Sequence, residues 1–304
     1  MKMKFVLFIF AFIGFSYSTN AQDYIFKVFI NKGNNFVLTE GEWKSIKQGA
    51  LLLKKDSVKV ETDSYIGLFH YTGGSLELTE PGVYRVSDLE LDVGYVKEAV
   101  IEDYVEFVIS KMHESEESDL QSSVTSKIKR SPDITSLKVI LPSTVDMYST
   151  VALIRWIGFE GINNYSVTIK NIFDEAINEF NTEELVFKLN INNKSYRNEK
   201  LVVFSVKLAD DEAVQSVEYG IKRMVGEERK KITRLYNALF SELGDDSALD
   251  KLVFAAFFEE NNLILDALTN HERAMQMFPE VKEFRIAYDQ FVIRNGLGNK
   301  GTTN

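Results

Sequence analysis

The sequence predicts a multidomain protein of β plus α structure, with a small N-terminal all-β domain, a central β-sandwich and a C-terminal helical bundle. Short apolar runs recur at spacings of about 8–12 residues through 22–95 and 137–208, which is typical of small all-β units. Apolar residues at helical spacing follow over residues 209–297. A chain of 304 residues has room for two or three domains of ordinary size.

Composition and charge exclude several functional classes. The chain has no cysteine, so disulfides, thiolate metal cages, iron–sulfur clusters and thiol nucleophiles are excluded. Lys and Arg number 35 against 45 Asp and Glu, which gives a formal net charge of −10. Nucleic-acid binding depends on a basic surface that neutralises phosphates. We therefore expect no nucleic acid among the partners of this acidic chain.

The first 21 residues have the pattern of a secretory signal peptide. A positively charged start (Met1–Lys4) precedes an uncharged apolar run over residues 5–15, and the small residues Thr19 and Ala21 occupy the positions that favour cleavage after Ala21. The apolar run is shorter than the about 20 residues that span a bilayer, so cleavage is favoured over retention as an anchor. We predict an exported protein, periplasmic or associated with the cell envelope, with no stable membrane span after cleavage.

Residues 22–95 carry the signals of a compact β domain. Residues 24–30 are apolar on both faces of an extended segment. The pair Gly73-Gly74 lies between two apolar runs and indicates a hairpin, because glycine adopts the positive φ angles that tight turns require. Pro81-Gly82 marks the next turn.

Part of this stretch resembles the FecR-type β domain of exported proteins. The resemblance depends on the family's spacing of glycine, leucine, aspartate and a β-branched residue, followed by a Gly-Ser turn, and the matching residues are Gly49, Leu52, Asp56, Val58 and Gly74-Ser75. Lys55 departs from the family pattern, which has glycine there. The resemblance implies a compact β fold in an exported protein, and we carry over only that fold and compartment.

Residues 96–136 are predicted to form a helix and a polar linker. One apolar face recurs at helical spacing, at Val100, Tyr104, Phe107, Val108 and Met112. The run from residue 114 to residue 136 is rich in Glu, Ser, Asp, Thr and Lys, and it ends near Ser131-Pro132. Such composition is typical of a linker between domains.

Residues 137–208 contain five or more β-rich runs, as expected for a small sandwich. A strand with Trp156 is followed by the alternating residues Tyr165, Val167 and Ile169, and this pattern resembles immunoglobulin-like and fibronectin type III modules. Trp156 has two interpretations. It fills the core of the sandwich, or it is a platform on which a sugar stacks.

Residues 209–297 are predicted to be helical, with an apolar stripe from Val217 to Leu243 and a helix start at Ser247. Residues 248–280 resemble a tetratricopeptide repeat. Counted back from Pro279, the small or aromatic positions of that repeat match at Ala255, Phe258, Ala267 and Ala274, whereas Lys251 and His271 depart from it. The resemblance implies two closely crossing helices beside a binding groove. Residues 298–304 are predicted to be a disordered tail.

Motifs of catalysis and metal binding are absent from the sequence. It contains no HExxH, GxSxG, GxxxxGK[ST] or GxGxxG, and none of His70, His113 and His271 has a second histidine four residues away. We therefore expect no enzyme activity, no metal and no cofactor. His271 is interpreted as a hydrogen-bonded core residue. An enzyme of unrecognised type would need acids that converge in a deep pocket.

The function predicted from these features is that of a non-catalytic exported adaptor that binds an envelope protein or peptide. Its partner-binding residues are predicted to be Leu252, Ala256 and Glu259, which face the groove of the repeat. The alternative is a protein that binds carbohydrate or another small ligand through Trp43, Trp156 or surface tyrosines. The combination of signal peptide and modules resembles exported proteins of Bacteroidetes-type bacteria.

Overall fold

The computed structural model describes residues 24–93, 104, 107–108, 110, 136–243 and 246–298. Strands form the first two-thirds of these ranges and long helices form the last third. The predicted β plus α class, with sheets followed by C-terminal helices, is confirmed. The predicted signal peptide, most of the 96–136 segment and the tail after residue 298 lie outside the described residues.

The N-terminal part consists of two four-stranded antiparallel sheets. Their strands are β1 (Tyr24–Lys32), β2 (Phe36–Thr39), β3 (Glu42–Ser45), β4 (Leu51–Leu53), β5 (Ser57–Val60), β6 (Tyr65–His70), β7 (Ser75–Leu78) and β8 (Gly82–Arg85), and the short helix α1 (Val86–Asp92) follows. The strand orders are β4-β1-β6-β7 and β3-β2-β5-β8. An apolar core lies between them and includes Phe26, Val28, Val58, Ile66 and Leu68.

The β4-β1-β6-β7 sheet is buried on both faces. Ile66 and Leu68 of β6 belong to the core between the N-terminal sheets, whereas Tyr65 and Phe69 belong to a second core shared with the C-terminal helices. Gly67 lies on the second face, and a Cβ built on it would be only 2.8 Å from the Leu249 side chain. This double burial explains why all six residues of β6 are buried, and why Val28, Phe29 and Ile30 of β1 are buried in succession.

The predicted hairpin at Gly73-Gly74 joins β6 and β7. Both glycines have positive φ, 99° and 84°, and Phe69 is paired with Ser75. The connection from Tyr71 to Gly74 is longer than a two-residue turn, and the His70 amide donates to the Gly74 carbonyl at its base (3.0 Å). The glycines are thus confirmed in the hairpin, with a longer connection than such a pair usually indicates.

The central part is a β-sandwich of a five-stranded and a three-stranded sheet. Its strands are β9 (Lys138–Val139), β10 (Thr144–Met147), β11 (Val151–Ile157), β12 (Tyr165–Lys170), β13 (Ala176–Thr182), β14 (Val186–Asn190), β15 (Leu201–Leu208) and β16 (Tyr219–Arg223). The orders are β10-β16-β15-β12-β13 and β14-β11-β9, and β10 runs parallel to β16. Trp156 is 0% exposed, with its ring centroid 5.6 Å from that of Tyr165. Its interpretation as the core residue of the sandwich is confirmed.

The prediction of helix from residue 209 is wrong over its first part. Residues 219–223 form β16, and the first helix after residue 209 begins only at Gly226. Tyr219 and Ile221 are buried while Lys222 is exposed, so the local period is that of a strand. Neighbouring β15 and β10 supply the hydrogen-bonded pairing that makes this strand stable.

The C-terminal part contains helices α2 (Gly226–Leu243), α3 (Ala248–Glu260), α4 (Ile264–Met277) and α5 (Lys282–Arg294). The predicted start of α3 at Ser247 is confirmed by a capping box, in which Ser247 and Asp250 bond to each other's backbone amides. A three-residue connection joins α3 to α4, and the two helices pack along each other. No helix within the described ranges is long and apolar enough to cross a membrane.

Helices α3 and α4 contact both β units. On the N-terminal side, the Ser75 hydroxyl donates to Asp250 (2.7 Å), and the Leu249 amide donates to Glu77 (3.2 Å). On the central side, the Arg155 guanidinium forms a two-bond ion pair with Glu272, at 2.5 and 2.7 Å. The helices therefore lie between the two β units, and their remaining face carries the candidate site.

Candidate functional site

The three residues predicted to bind a partner lie on one face of α3. Leu252, Ala256 and Glu259 are spaced at four and three residues, which brings them to the same side of a helix. They line one cavity together with residues of α4, α5 and the 104–110 segment, namely His271, Ala287, Gln290, Arg294, Phe107 and Val108. The cavity has room for about one water molecule.

The groove is filled by the chain itself. Leu252 is 0% exposed and Ala256 is 3% exposed, and Val108 is 7% exposed beside them. Tyr104, one turn earlier in the same segment, has its ring centroid 6.1 Å from that of Phe257 on α3. Leu252, Ala256 and Glu259 thus line one cavity, and aromatic and aliphatic side chains of the same chain lie in it.

An ion pair forms the rim of this groove. The Arg294 guanidinium donates to both Glu259 carboxylate oxygens, at 3.2 and 2.7 Å, and the Asn295 amide donates to Glu259 at 3.0 Å. The central guanidinium carbon of Arg294 lies 5.7 Å from the ring centroid of Phe107, within the range of a cation–π contact. Glu259 thereby orients the arginine that covers the bound aromatic ring.

Two buried polar side chains in the groove contain atoms that have no hydrogen-bond partner among the described residues. They are His271, through its Nδ1, and Gln290, through both amide atoms. Burial, and secondly the charge of Arg294, lowers the pKa of His271 to about 3, so its imidazole is neutral at physiological pH. The burial of His271 agrees with its interpretation as a core residue, whereas the expectation that it is fully hydrogen-bonded is wrong.

The cavity combines apolar walls with unpaired polar atoms. A buried amide and a neutral imidazole both favour a ligand group that can donate and accept hydrogen bonds. No set of three or more His, Asp or Glu side chains within the described residues is arranged to hold a metal ion. A polar group in this cavity would therefore find both a donor and an acceptor beside apolar walls.

Sequence reasoning missed a set of buried acids that hold the helices to the β units. Burial raises the pKa of Glu77, Asp250 and Asp266, although each accepts hydrogen bonds. Asp266, near the start of α4, accepts hydrogen bonds from the backbone amides of Tyr148 (2.9 Å) and Ser149 (2.7 Å). In the sequence these acids alternate with apolar residues or open a helix, which are patterns typical of solvent-exposed acids.

The two tryptophans of the alternative function differ in accessibility. Trp43 is 45% exposed on β3, a strand whose four residues are all exposed. Trp156 is fully buried, so the structure contradicts its use as a sugar platform. His70 is buried in β6 and bonds to Thr72 (2.7 Å), while His113 lies outside the described residues.

No known family matches the chain, and no curated protein shows significant similarity to it.

Proposed function

We propose that this protein is a non-catalytic exported adaptor whose helical region binds an apolar segment of another envelope protein. One observation carries the proposal. The groove beside α3 holds Phe107 and Val108 of the chain itself, and Tyr104 of the same segment contacts Phe257 of α3. The spacing of these three residues is that of anchors on a helix bound in a groove.

The chemistry of the groove favours a partner segment with side chains like those of Tyr104, Phe107 and Val108. Ala256 and Ala287 leave space for large side chains, and Arg294 covers an aromatic ring. A partner segment with aromatic and aliphatic anchors at helical spacing satisfies these contacts. A polar side chain on that segment would also pair with His271 Nδ1 and the Gln290 amide, which lack partners among the described residues.

Export and the modular architecture belong to the same proposal. The signal-peptide pattern of residues 1–21 supports export with cleavage after Ala21. The FecR-like pattern supports an N-terminal β domain, and the immunoglobulin-like pattern supports a central module. The tetratricopeptide-like pattern over 248–280 supports a helical region that binds protein. In this arrangement the β units position the groove, and no catalytic group is needed.

The test is a cross-linking pull-down of tagged full-length protein from its native cell envelope, analysed by mass spectrometry. We expect one reproducible partner. Phe107→Ala should increase its capture, because the side chain that competes for the groove is shortened. Glu259→Gln should decrease capture several-fold, because Arg294 loses the carboxylate that orients it.

Glu260→Gln is the matched control, because Glu260 is the neighbouring acid and is exposed. Its capture should equal that of the unmodified protein. Circular dichroism should give the same melting temperature for all variants that are compared. Absence of any reproducible partner, or equal effects of the two glutamine substitutions, would contradict the proposal.

The second candidate function is the binding of carbohydrate through Trp43. The observation that favours it is the exposed indole on β3, opposite Leu38 in the β2–β3 pair. An exposed tryptophan offers a flat apolar face to a sugar ring. Trp43→Ala should then abolish glycan binding on an array without changing the melting temperature. Binding that survives this substitution removes the candidate.

A further inference from the structure

The strand β13 is an edge of the central five-stranded sheet. Among the described residues it pairs with β12 and with no other strand. Proteins usually protect such edges by keeping them short or by covering them. The other edge strands of the described sheets have two to five residues, whereas β13 has seven. It is thus the longest of these open edges.

Charge does not protect this edge either. The single charged residue of β13, Glu179, accepts a hydrogen bond from Ser166 on β12 (3.2 Å) and lies 3.5 Å from Lys207 on β15. These partners place the carboxylate over the face of the sheet. The strand also contains no proline. Within the described part of the chain, the backbone groups on its outer side therefore have no strand partner, and such groups can pair with another extended chain.

An apolar pair projects at the end of the same edge. Ile172 is 62% exposed and Phe173 is 75% exposed in the turn between β12 and β13. The Asn171 side chain accepts from the amides of Phe173 (2.9 Å) and Glu175 (3.1 Å), which holds the turn in one conformation. The edge and the apolar pair together form a surface, which we call the β13 edge (residues 172–182).

The charges around this surface indicate what binds there. Residues 171–185 contain five acids and no Lys or Arg, and the acids are Asp174, Glu175, Glu179, Glu183 and Glu184. Lys170 is paired with both Asp174 and Glu218 at the base of the turn. Asp174 and Glu179 are already paired with lysines, which leaves Glu175, Glu183 and Glu184 without an ion pair among the described residues. A partner that complements these three acids is basic, and it must be extended to pair with a strand.

We propose that the β13 edge binds an extended, basic segment of a partner protein, which adds a sixth strand to this sheet. Main-chain hydrogen bonds to residues 176–182 provide affinity, as in other cases of strand addition. Apolar side chains of the segment contact Ile172 and Phe173, and its lysines or arginines face the acids. This surface is separate from the groove of the helical region, and the proposal does not depend on that groove.

The test uses the full-length protein and a fluorescein-labelled peptide in which lysine alternates with valine and one end carries two leucines. Fluorescence anisotropy in physiological salt should show saturable binding. The double substitution Ile172→Ser and Phe173→Ser should weaken binding about tenfold, because the exposed apolar pair is lost. Amide hydrogen exchange over residues 176–182 should slow when the peptide binds.

Two controls separate strand addition from general attraction to an acidic protein. The first is a peptide of the same composition with all lysines in one block. The second is Leu91→Ser, which removes an apolar side chain that is 84% exposed on α1. The proposal is overturned if no binding occurs, if the block peptide binds equally, or if Leu91→Ser weakens binding as much. Slow exchange of the β13 amides that point away from β12, without peptide, also overturns it, because the edge would already be covered.

Discussion

Buried polar residues without partners give the helical region its most unusual local chemistry. Gln290 lies in α5 with both amide atoms unpaired among the described residues, next to the neutral ring of His271. An unsatisfied buried polar group costs about 1–3 kcal/mol. The apolar residues around it, such as Leu252 and Ala287, offer no compensation. At the scale of single residues, the groove is less stable than an entirely apolar core would be.

Gln290→Met should therefore stabilise the protein. The substitution preserves length and removes an unpaired amide, so the free energy of unfolding should rise by about 1 kcal/mol or more. Urea unfolding followed by circular dichroism measures this change. Gln290→Glu is the control, because it buries a charge at the same place and should lower stability. A Gln290→Met variant that is no more stable would show that the amide has a partner in solution.

His271 should make stability fall in mild acid. Its folded-state pKa is about 3, below the ordinary 6.5, so the unfolded chain binds a proton that the folded chain does not. As pH decreases from 6.5 toward 3, this residue removes about 1.4 kcal/mol of stability per pH unit. Burial raises the folded-state pKa of Glu77, Asp250 and Asp266. These carboxylates therefore bind protons more readily in the folded chain, and they add stability as the pH falls.

The contribution of His271 is isolated by comparing the protein with His271→Phe, which restores the aromatic residue of the repeat pattern. Urea unfolding at several pH values between 7.5 and 4.5 should show a smaller acid loss for the variant. The three carboxylates are present in both proteins, so their effect cancels in the difference. Parallel pH profiles would mean that His271 is protonated in the folded state as well.

At the scale of elements, the start of α3 combines a local cap with a contact to the first β unit. Ser247 bonds to the Asp250 amide (2.9 Å), and its hydroxyl is also 2.8 Å from that of Ser75 on β7. Asp250 in turn accepts from Ser75 at 2.7 Å. Ser247 therefore caps the start of α3 and also joins this helix to the N-terminal sheet.

Ser247→Ala should destabilise the protein by about 1–2 kcal/mol, because loss of an N-cap costs about 1 kcal/mol and the contact with Ser75 is lost as well. Thermal unfolding measures the effect. Ser241→Ala is a matched control, since Ser241 lies on the exposed side of α2 and bonds only within its own helix. Equal losses for the two alanine substitutions would argue against a special role for Ser247.

Elements were predictable from sequence where one local rule decides the structure. Ser247 and Gly73-Gly74 follow from capping and turn rules, and both are confirmed. Residues 219–223 have no such signal. Ile221 fits a helical stripe and a strand equally well, and the distant strands β15 and β10 decide in favour of the strand. Tertiary pairing of this kind cannot be read from local periodicity.

Part of the candidate site could be predicted from local helical spacing. Its contact with a distant segment of the chain could not. Helical spacing places Leu252, Ala256 and Glu259 on one face of α3, and they do line one cavity. The apolar stripe containing Phe107 and Val108 was also visible. What the sequence could not supply is that this stripe packs into that groove, because the pairing joins segments about 150 residues apart in the chain.

At the scale of the whole molecule, the helices couple the two β units through buried polar contacts. Glu272 is 1% exposed in its side chain and pairs with Arg155 of β11, whose side chain is 19% exposed. Thr269, one turn earlier in α4, accepts from the Leu153 amide (3.0 Å). Tyr65 of β6 contacts Phe278 and Phe284 from the opposite side. The described parts therefore share one apolar core that spans all three.

Arg155→Met should destabilise the protein strongly, by about 3–5 kcal/mol, because Glu272 is left buried without its ion-pair partner. The double substitution Arg155→Met and Glu272→Met should recover most of this loss, since two apolar side chains can fill the same space. Urea unfolding of the two single variants and the double variant gives the coupling energy. Additive losses would mean that the two side chains do not interact in solution.

The double burial of the β4-β1-β6-β7 sheet has a consequence for the order in which the protein is made. Its outer face is covered by helices encoded in the last third of the chain, where Leu249 lies against Gly67 and Phe284 contacts Tyr65. During synthesis this sheet is made first, and its apolar outer face stays uncovered until α3, α4 and α5 have been synthesised. A chain that stops before Ser247 would keep that face exposed, so premature termination should yield aggregates instead of a functional fragment.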